Sequence, residues 1–190
     1  LYRFEHGLID FHEEMGVMIQ EVVGTDVGPY FLPVFAGVAF SSNEFRWSPR
    51  LNREDGLVRM VPGLGTRAVD RIGNDYPVLF SPGQPALRVN ACPDEVRHYS
   101  PAHIDVINLE KGSFQTVRLE SLVRDHGNDI PNLGQLVSVY KDGLLHQPSP
   151  IQLDTNRDEV VFTFDGLIHN TDFVKQMRAI LLTLQEGMKT

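Results

Sequence analysis

Three stretches of the chain carry residue types at spacings that suit chemistry. In DGLVRMVPGLGTRAVDR, residues 55–71, Gly63, Gly65 and Ala68 fit the pattern G-x-G-x-x-A behind a β-branched run. Glycines between a strand and a helix let the backbone close on a phosphate, whose charge then meets the helix N-terminus. A dinucleotide site built this way also needs an acidic residue about 20 positions further on to hold a ribose hydroxyl. Positions 81–85 read Ser, Pro, Gly, Gln and Pro, so the carboxylate is missing, and no Gly-Lys-Ser/Thr follows as a P-loop requires. The expectation is a structural glycine turn in which Gly63 and Gly65 redirect the chain and Thr66 caps the helix that begins there.

The second stretch holds Arg46, Arg50 and Arg53 around Trp47. Guanidinium forks match phosphoryl oxygens, so the three could clamp a phosphate, although a solvated loop explains them with fewer assumptions. The third is Asp94, Glu95 and His98, an acid/base set by type. Pro93 before them marks a helix start, where carboxylates in the first turn are favoured by the helix dipole, and no catalytic role is assigned. The seven histidines include no H-x-x-x-H pair and have no cysteine partner at metal spacing, so no metal site is expected.

The elements that would hold these residues alternate between strand-like and helical patterns. Residues 2–15 suggest a helix weakened by Gly7. Val17–Val23, VMIQEVV, suggests a mostly buried strand with Gln20 and Glu21 at a wet spot. Residues 24–28 would then turn a hairpin into PYFLPVFAGVAFSS, a strand pair divided at Pro33 or Gly37. LVRMVP is a further strand, and residues 73–103 read as irregular surface chain. IDVINLEKGSFQTVRLE predicts a hairpin about Lys111-Gly112-Ser113, followed by a short helix over 119–127. LVSVYKDG and VVFTFDG are strands, with a proline-rich loop between them. A last helix over 171–186 carries an apolar stripe of Phe173, Val174, Met177, Ile180, Leu181 and Leu184, with Asn170 or Thr171 as its cap. The pattern predicts an α+β domain with a mainly antiparallel sheet and flanking helices.

With 190 residues, 42% hydrophobic, the chain suffices for a single domain over residues 1–190 with a sizeable core. A net charge of −8 with no long basic run excludes nucleic acid and anionic membrane as expected partners. Cys92 is the lone cysteine, which fits a cytoplasmic location. The chain opens at LYRFEHGL without an initiator Met, and the expectation is a piece of a longer polypeptide.

Taken in order, GVMIQEVVG, AGVAFSSN and GLGTRAVDR resemble the ATP-grasp nucleotide-binding region of the phosphoenolpyruvate synthase and pyruvate phosphate dikinase family. That family carries V-x-V-Q-x-M-V, then A-G-V-x-F-[ST]-x-N/D-P, then G-L-G-E-x-V-V-x-G. EFRWSPR points to its larger synthase-like branch. VVFTFDGL and the last helix extend the likeness, while residues 84–158 match none of its motifs. The resemblance implies ATP as ligand, Mg²⁺ bridging its phosphates in the parent enzyme, and transfer through a phosphohistidine on another domain to pyruvate or a similar acceptor. It places adenine along Gln20, Glu21, Val22 and Val23, walled by Ile19 and Val38, with Glu21 reaching a ribose hydroxyl. A strand can serve adenine in this way, with one carbonyl for N6 and one N–H for N1.

Two departures stand out: Thr66 replaces the Glu after Gly-Leu-Gly, and Arg59 replaces an acid in the preceding strand. The family's phosphate-handling Lys and Arg, its D-I-E-W and L-Q-x-R-P segments and its Thr-Ser-His phosphohistidine motif are not among these residues. The resemblance therefore implies the adenine side of an ATP site, inactive in isolation. The competing class is a non-catalytic module with residues 84–158 as a docking surface, and a third possibility is a small stand-alone enzyme of another type.

Overall fold

The β-branched runs pair into three small antiparallel sheets that share one core. The computed structural model describes residues 2–10, 12, 14–69, 73, 75–148, 153, 154 and 157–187. Among these, α1 (Tyr2–Glu5) is followed by β1 (Thr25–Val27), β2 (Tyr30–Leu32), β3 (Ala36–Phe40), β4 (Leu57–Val61) and β5 (Val78–Phe80). Then come α2 (Pro93–His98), β6 (His103–Asn108), β7 (Ser113–Arg118), α3 (Leu119–His126) and α4 (Leu133–Leu136). The chain continues through β8 (Val137–Lys141), β9 (Leu144–His146), β10 (Glu159–Phe162), α5 (Asp165–Asn170) and α6 (Phe173–Gly187). The sheets run β1-β2-β6-β7, β3-β4-β5 and β10-β8-β9. Every neighbouring pair is antiparallel, as the alternating pattern predicts.

Each sheet contributes to the same apolar centre: Leu32, Ile104 and Val106 from the first, Met60 and Phe80 from the second, Val137 and Phe162 from the third. Phe164 is fully buried at the end of β10, with Phe35 edge-on to it at 6.2 Å and to Phe173 at 5.4 Å. Each such side chain contributes roughly 1.5–3 kcal/mol on burial. The β6–β7 hairpin forms where it was expected because its signals are local. Asn108 Oδ1 accepts the Lys111 N–H at 2.9 Å and Gly112 takes φ +56° in the turn. In α3, Leu119, Leu122 and Val123 fall at i, i+3 and i+4 and are all buried.

The structure corrects the sequence reading in five places. The first helix ends at Glu5: Gly7 has φ +67° and the Leu8 N–H returns to the Arg3 carbonyl at 2.7 Å, closing the turn. Of the remainder expected to be helical, residues 11 and 13 lie outside the described set. Val17–Val23 forms no strand, because a β-branched run pleats only against a partner edge. Residues 24–28 are a strand and a turn in one, since Thr25–Val27 pairs with Tyr30–Leu32 across Gly28 and Pro29.

Residues 73–103 are not wholly irregular either. They contain α2 and β5, and the latter is completed by long-range pairing such as Val58 with Phe80. Finally, α6 is anchored over its first turns only, by Phe173, Val174 and Met177. Thr171 Oγ1 accepts the Phe173 N–H at 3.1 Å, as expected of a cap. Further along, Ile180 and Leu184 are exposed because the helix outruns the core. No helix among the described residues is long and apolar enough to cross a membrane.

Candidate nucleotide site

The glycine loop after β4 is held against β6 by its own backbone. Gly63 has φ +78° and bridges Asp105, and the Leu64 N–H donates to the Asp105 carbonyl at 3.2 Å. An added Cβ on Gly63 would stand 2.5 Å from Ile104 Cγ1 and 2.6 Å from the Asp105 carbonyl oxygen. Gly65, at φ +84°, begins a short 3-10 turn over Thr66–Ala68 where a helix was expected to begin. Close approach of strand to loop therefore accounts for the glycines, without a phosphate.

Thr66 does not cap that turn. Its hydroxyl donates to Asp105 Oδ2, joining a cluster centred on Arg67. Arg67 Nε donates to Asp105 Oδ1 at 3.1 Å, and its Nη1 donates to Asp75 Oδ2 at 2.8 Å. Asp105 Oδ1 also accepts from Thr116 Oγ1 at 2.6 Å, while Asp75 Oδ1 accepts the Ala102 N–H at 2.7 Å. The Arg67, Asp75 and Asp105 side chains are only 11%, 6% and 4% exposed, so this is a buried charged network. Burial pushes the Asp105 carboxyl up, yet hydrogen bonds from Thr116, Thr66 and Arg67, with the Arg67 charge, outweigh it and hold the group below its ordinary value. The expected structural glycine turn is thus a loop-to-strand lock, with Thr66 and Arg67 both turned onto Asp105.

The segment expected to meet adenine is exposed along its length. Ile19, expected as a wall of the slot, is 92% exposed, and Val17, Met18 and Val23 are exposed beside it. Gln20 and Glu21 are exposed too, and no backbone hydrogen bond engages residues 17–23 among the described residues. The segment accordingly presents open N–H and C=O groups next to apolar side chains. Val38, the other expected wall, lies in β3 opposite Arg59.

The arginine loop is only partly available to a ligand. Arg53 pairs with Glu44 at 2.6 Å, while Trp47 Nε1 donates to the Leu87 carbonyl at 3.0 Å and pins the loop. Arg46 and Arg50 remain exposed. In β4, Arg59 places its guanidinium 5.9 Å from the Phe40 ring centre. Asp94 and Glu95 sit in the first turn of α2 behind Pro93, and Asp94 accepts a hydrogen bond from the Tyr140 hydroxyl, as suits a helix start. Among the described residues no group of three or more His, Cys, Asp and Glu side chains is placed to hold a metal ion.

Sequence reasoning missed the Arg67–Asp75–Asp105 cluster, although Arg67 stood inside the quoted motif. Its partners lie 8 and 38 positions away. A buried arginine next to a glycine turn could have prompted a search for carboxylates, but not a choice among the 25 acidic residues. The family model described as pyruvate phosphate dikinase, AMP/ATP-binding domain, matches residues 1–190. No curated protein and no solved structure matches the chain significantly.

Proposed function

Since the chain belongs to the pyruvate phosphate dikinase AMP/ATP-binding domain family, we propose that it supplies the adenine side of the ATP site in a phosphotransferase. The observation that carries this reading is the open backbone of residues 17–23 beside exposed apolar side chains. Adenine takes one carbonyl and one N–H from an extended segment and rests on apolar surface, and Gln20, Glu21, Val22 and Val23 offer both kinds of group. Glu21 then accepts a ribose hydroxyl, which fixes the nucleoside and aims the triphosphate away from the segment. Binding would order the segment as a strand, which its β-branched composition suits.

In this reading the parent enzyme passes a phosphoryl group from ATP through a histidine to pyruvate or a similar acceptor. Mg²⁺ would neutralise the phosphate oxygens during such a transfer. Among the described residues no group of three or more His, Cys, Asp and Glu is placed to hold it.

Titration of the protein with ATP and with adenosine, followed by amide NMR shifts, tests the assignment. Adenine contacts without phosphate contacts give about 4 kcal/mol, a millimolar Kd. The two ligands should therefore bind alike, shifting residues 19–23. A tenfold or greater preference for ATP would contradict an adenine-only half-site and move the assignment to a phosphate contact, with Arg46 and Arg50 the exposed candidates.

A further inference from the structure

A cleft of about 230 Å³ opens between β5, α2 and the end of β10. It involves none of residues 17–23. Tyr76, Val78, Val96, Tyr99 and Phe162 make most of its lining apolar, and the Tyr76 and Tyr99 rings meet edge to face at 5.0 Å. A cavity of about 150 Å³ suffices for benzene, so one ring with a small substituent fits here.

Arg88 lines the same cleft. Its Nη2 donates to the Thr163 carbonyl at 2.9 Å and lies 3.1 Å from Asp165 Oδ1, tying the 81–92 loop to the start of α5. Its Nη1 is buried and has no hydrogen-bond partner among the described residues. A strut to Thr163 and Asp165 needs only one end of the fork, and a buried donor without a partner is costly. Burial also pushes the guanidinium below its ordinary value, opposed by the Asp165 charge. An anion in the cleft would offset the cost of burying that charge.

We propose that this cleft binds a small carboxylate with a flat apolar body, the ring between Tyr76, Tyr99 and Phe162 and the carboxylate beside the Arg88 guanidinium. A monoanion is favoured over a phosphate dianion because Asp165 already places one negative charge beside the guanidinium. The arrangement is that of small-molecule sites generally, a mostly apolar concavity with a few polar groups that fix orientation.

Amide NMR titration of the protein with benzoate, phenyl phosphate and benzyl alcohol tests the site. Benzoate should give saturable shifts at Val89, Asn90 and Tyr99, at least tenfold tighter than benzyl alcohol and tighter than phenyl phosphate. These shifts should persist with adenosine at saturation, so the site stands or falls independently of residues 17–23. Arg88→Met should bring benzoate down to the affinity of benzyl alcohol. The anion preference is read on the unmodified protein, so it survives a variant that fails to fold. Equal affinity for benzoate and benzyl alcohol, absence of saturation up to about 10 mM, or a preference for phenyl phosphate would overturn the proposal.

Discussion

Replacing Arg67 with Met lowers the stability of the domain by about 3–5 kcal/mol, the range for removing one partner from a buried ion pair. Asp75 and Asp105 would be left facing each other across the vacated guanidinium with side chains only 6% and 4% exposed. Thr66 and Thr116 would still donate to Asp105, but nothing would neutralise it. Arg67→Lys keeps a charge and loses the fork that reaches both carboxylates, so an intermediate loss is expected. Urea denaturation measures both variants.

The acid limb gives the same network a second readout. The Asp105 carboxyl is held below its ordinary value in the folded state. Its contribution is therefore complete above the unfolded value, about pH 3.9, and is lost as pH falls through the lower folded value. Arg67 sustains part of that depression, so the gap between wild type and Arg67→Met should narrow below about pH 4. A constant gap down to lower pH would show that the pair is not the source of the difference.

Gly63→Ala is the second large effect. The left-handed conformation at φ +78° costs a side chain about 1–2 kcal/mol. The new Cβ would also stand within 2.6 Å of the Asp105 carbonyl, which accepts the Leu64 N–H, so relief of the clash pulls that bond apart. The combined loss should reach about 2 kcal/mol or more. Gly112→Ala is the control: φ is +56° but nothing lies within 4 Å of its Cβ, so only the conformational term applies. Adenosine shifts at Gln20 should persist in whatever Gly63→Ala protein remains folded. If the melting temperature were unchanged while an ATP-specific signal vanished, the loop would be a phosphate cradle and the lock described here would be wrong.

What could be read from the sequence was what depends on near neighbours. The β6–β7 hairpin is written in Lys111-Gly112-Ser113, and the start of α6 in Thr171 and the Phe173, Val174, Met177 spacing. The antiparallel α+β class and the family followed from several such stretches in order. Pairings that span the chain were not legible. β5 is three residues among prolines and glycines, and only its register against β4 makes it a strand. Arg88 meets Thr163 across 75 positions. Val17–Val23 failed for the opposite reason: its composition states a fitness for pleated surface and says nothing of whether an edge is present. The glycine loop was read correctly as structural, but its partner, Asp105, lies in a strand whose neighbour in space could not be inferred.

Photolabelling with 2-azidoadenosine, with the modified residues located by tandem mass spectrometry, tests the central claim most directly. The label should fall within residues 17–23, compete equally with unlabelled ATP and adenosine, and spare the Arg88 cleft. Label concentrated elsewhere, whether at Arg46 and Arg50, in the cleft, or spread without competition, would contradict the assignment of adenine to Gln20, Glu21, Val22 and Val23.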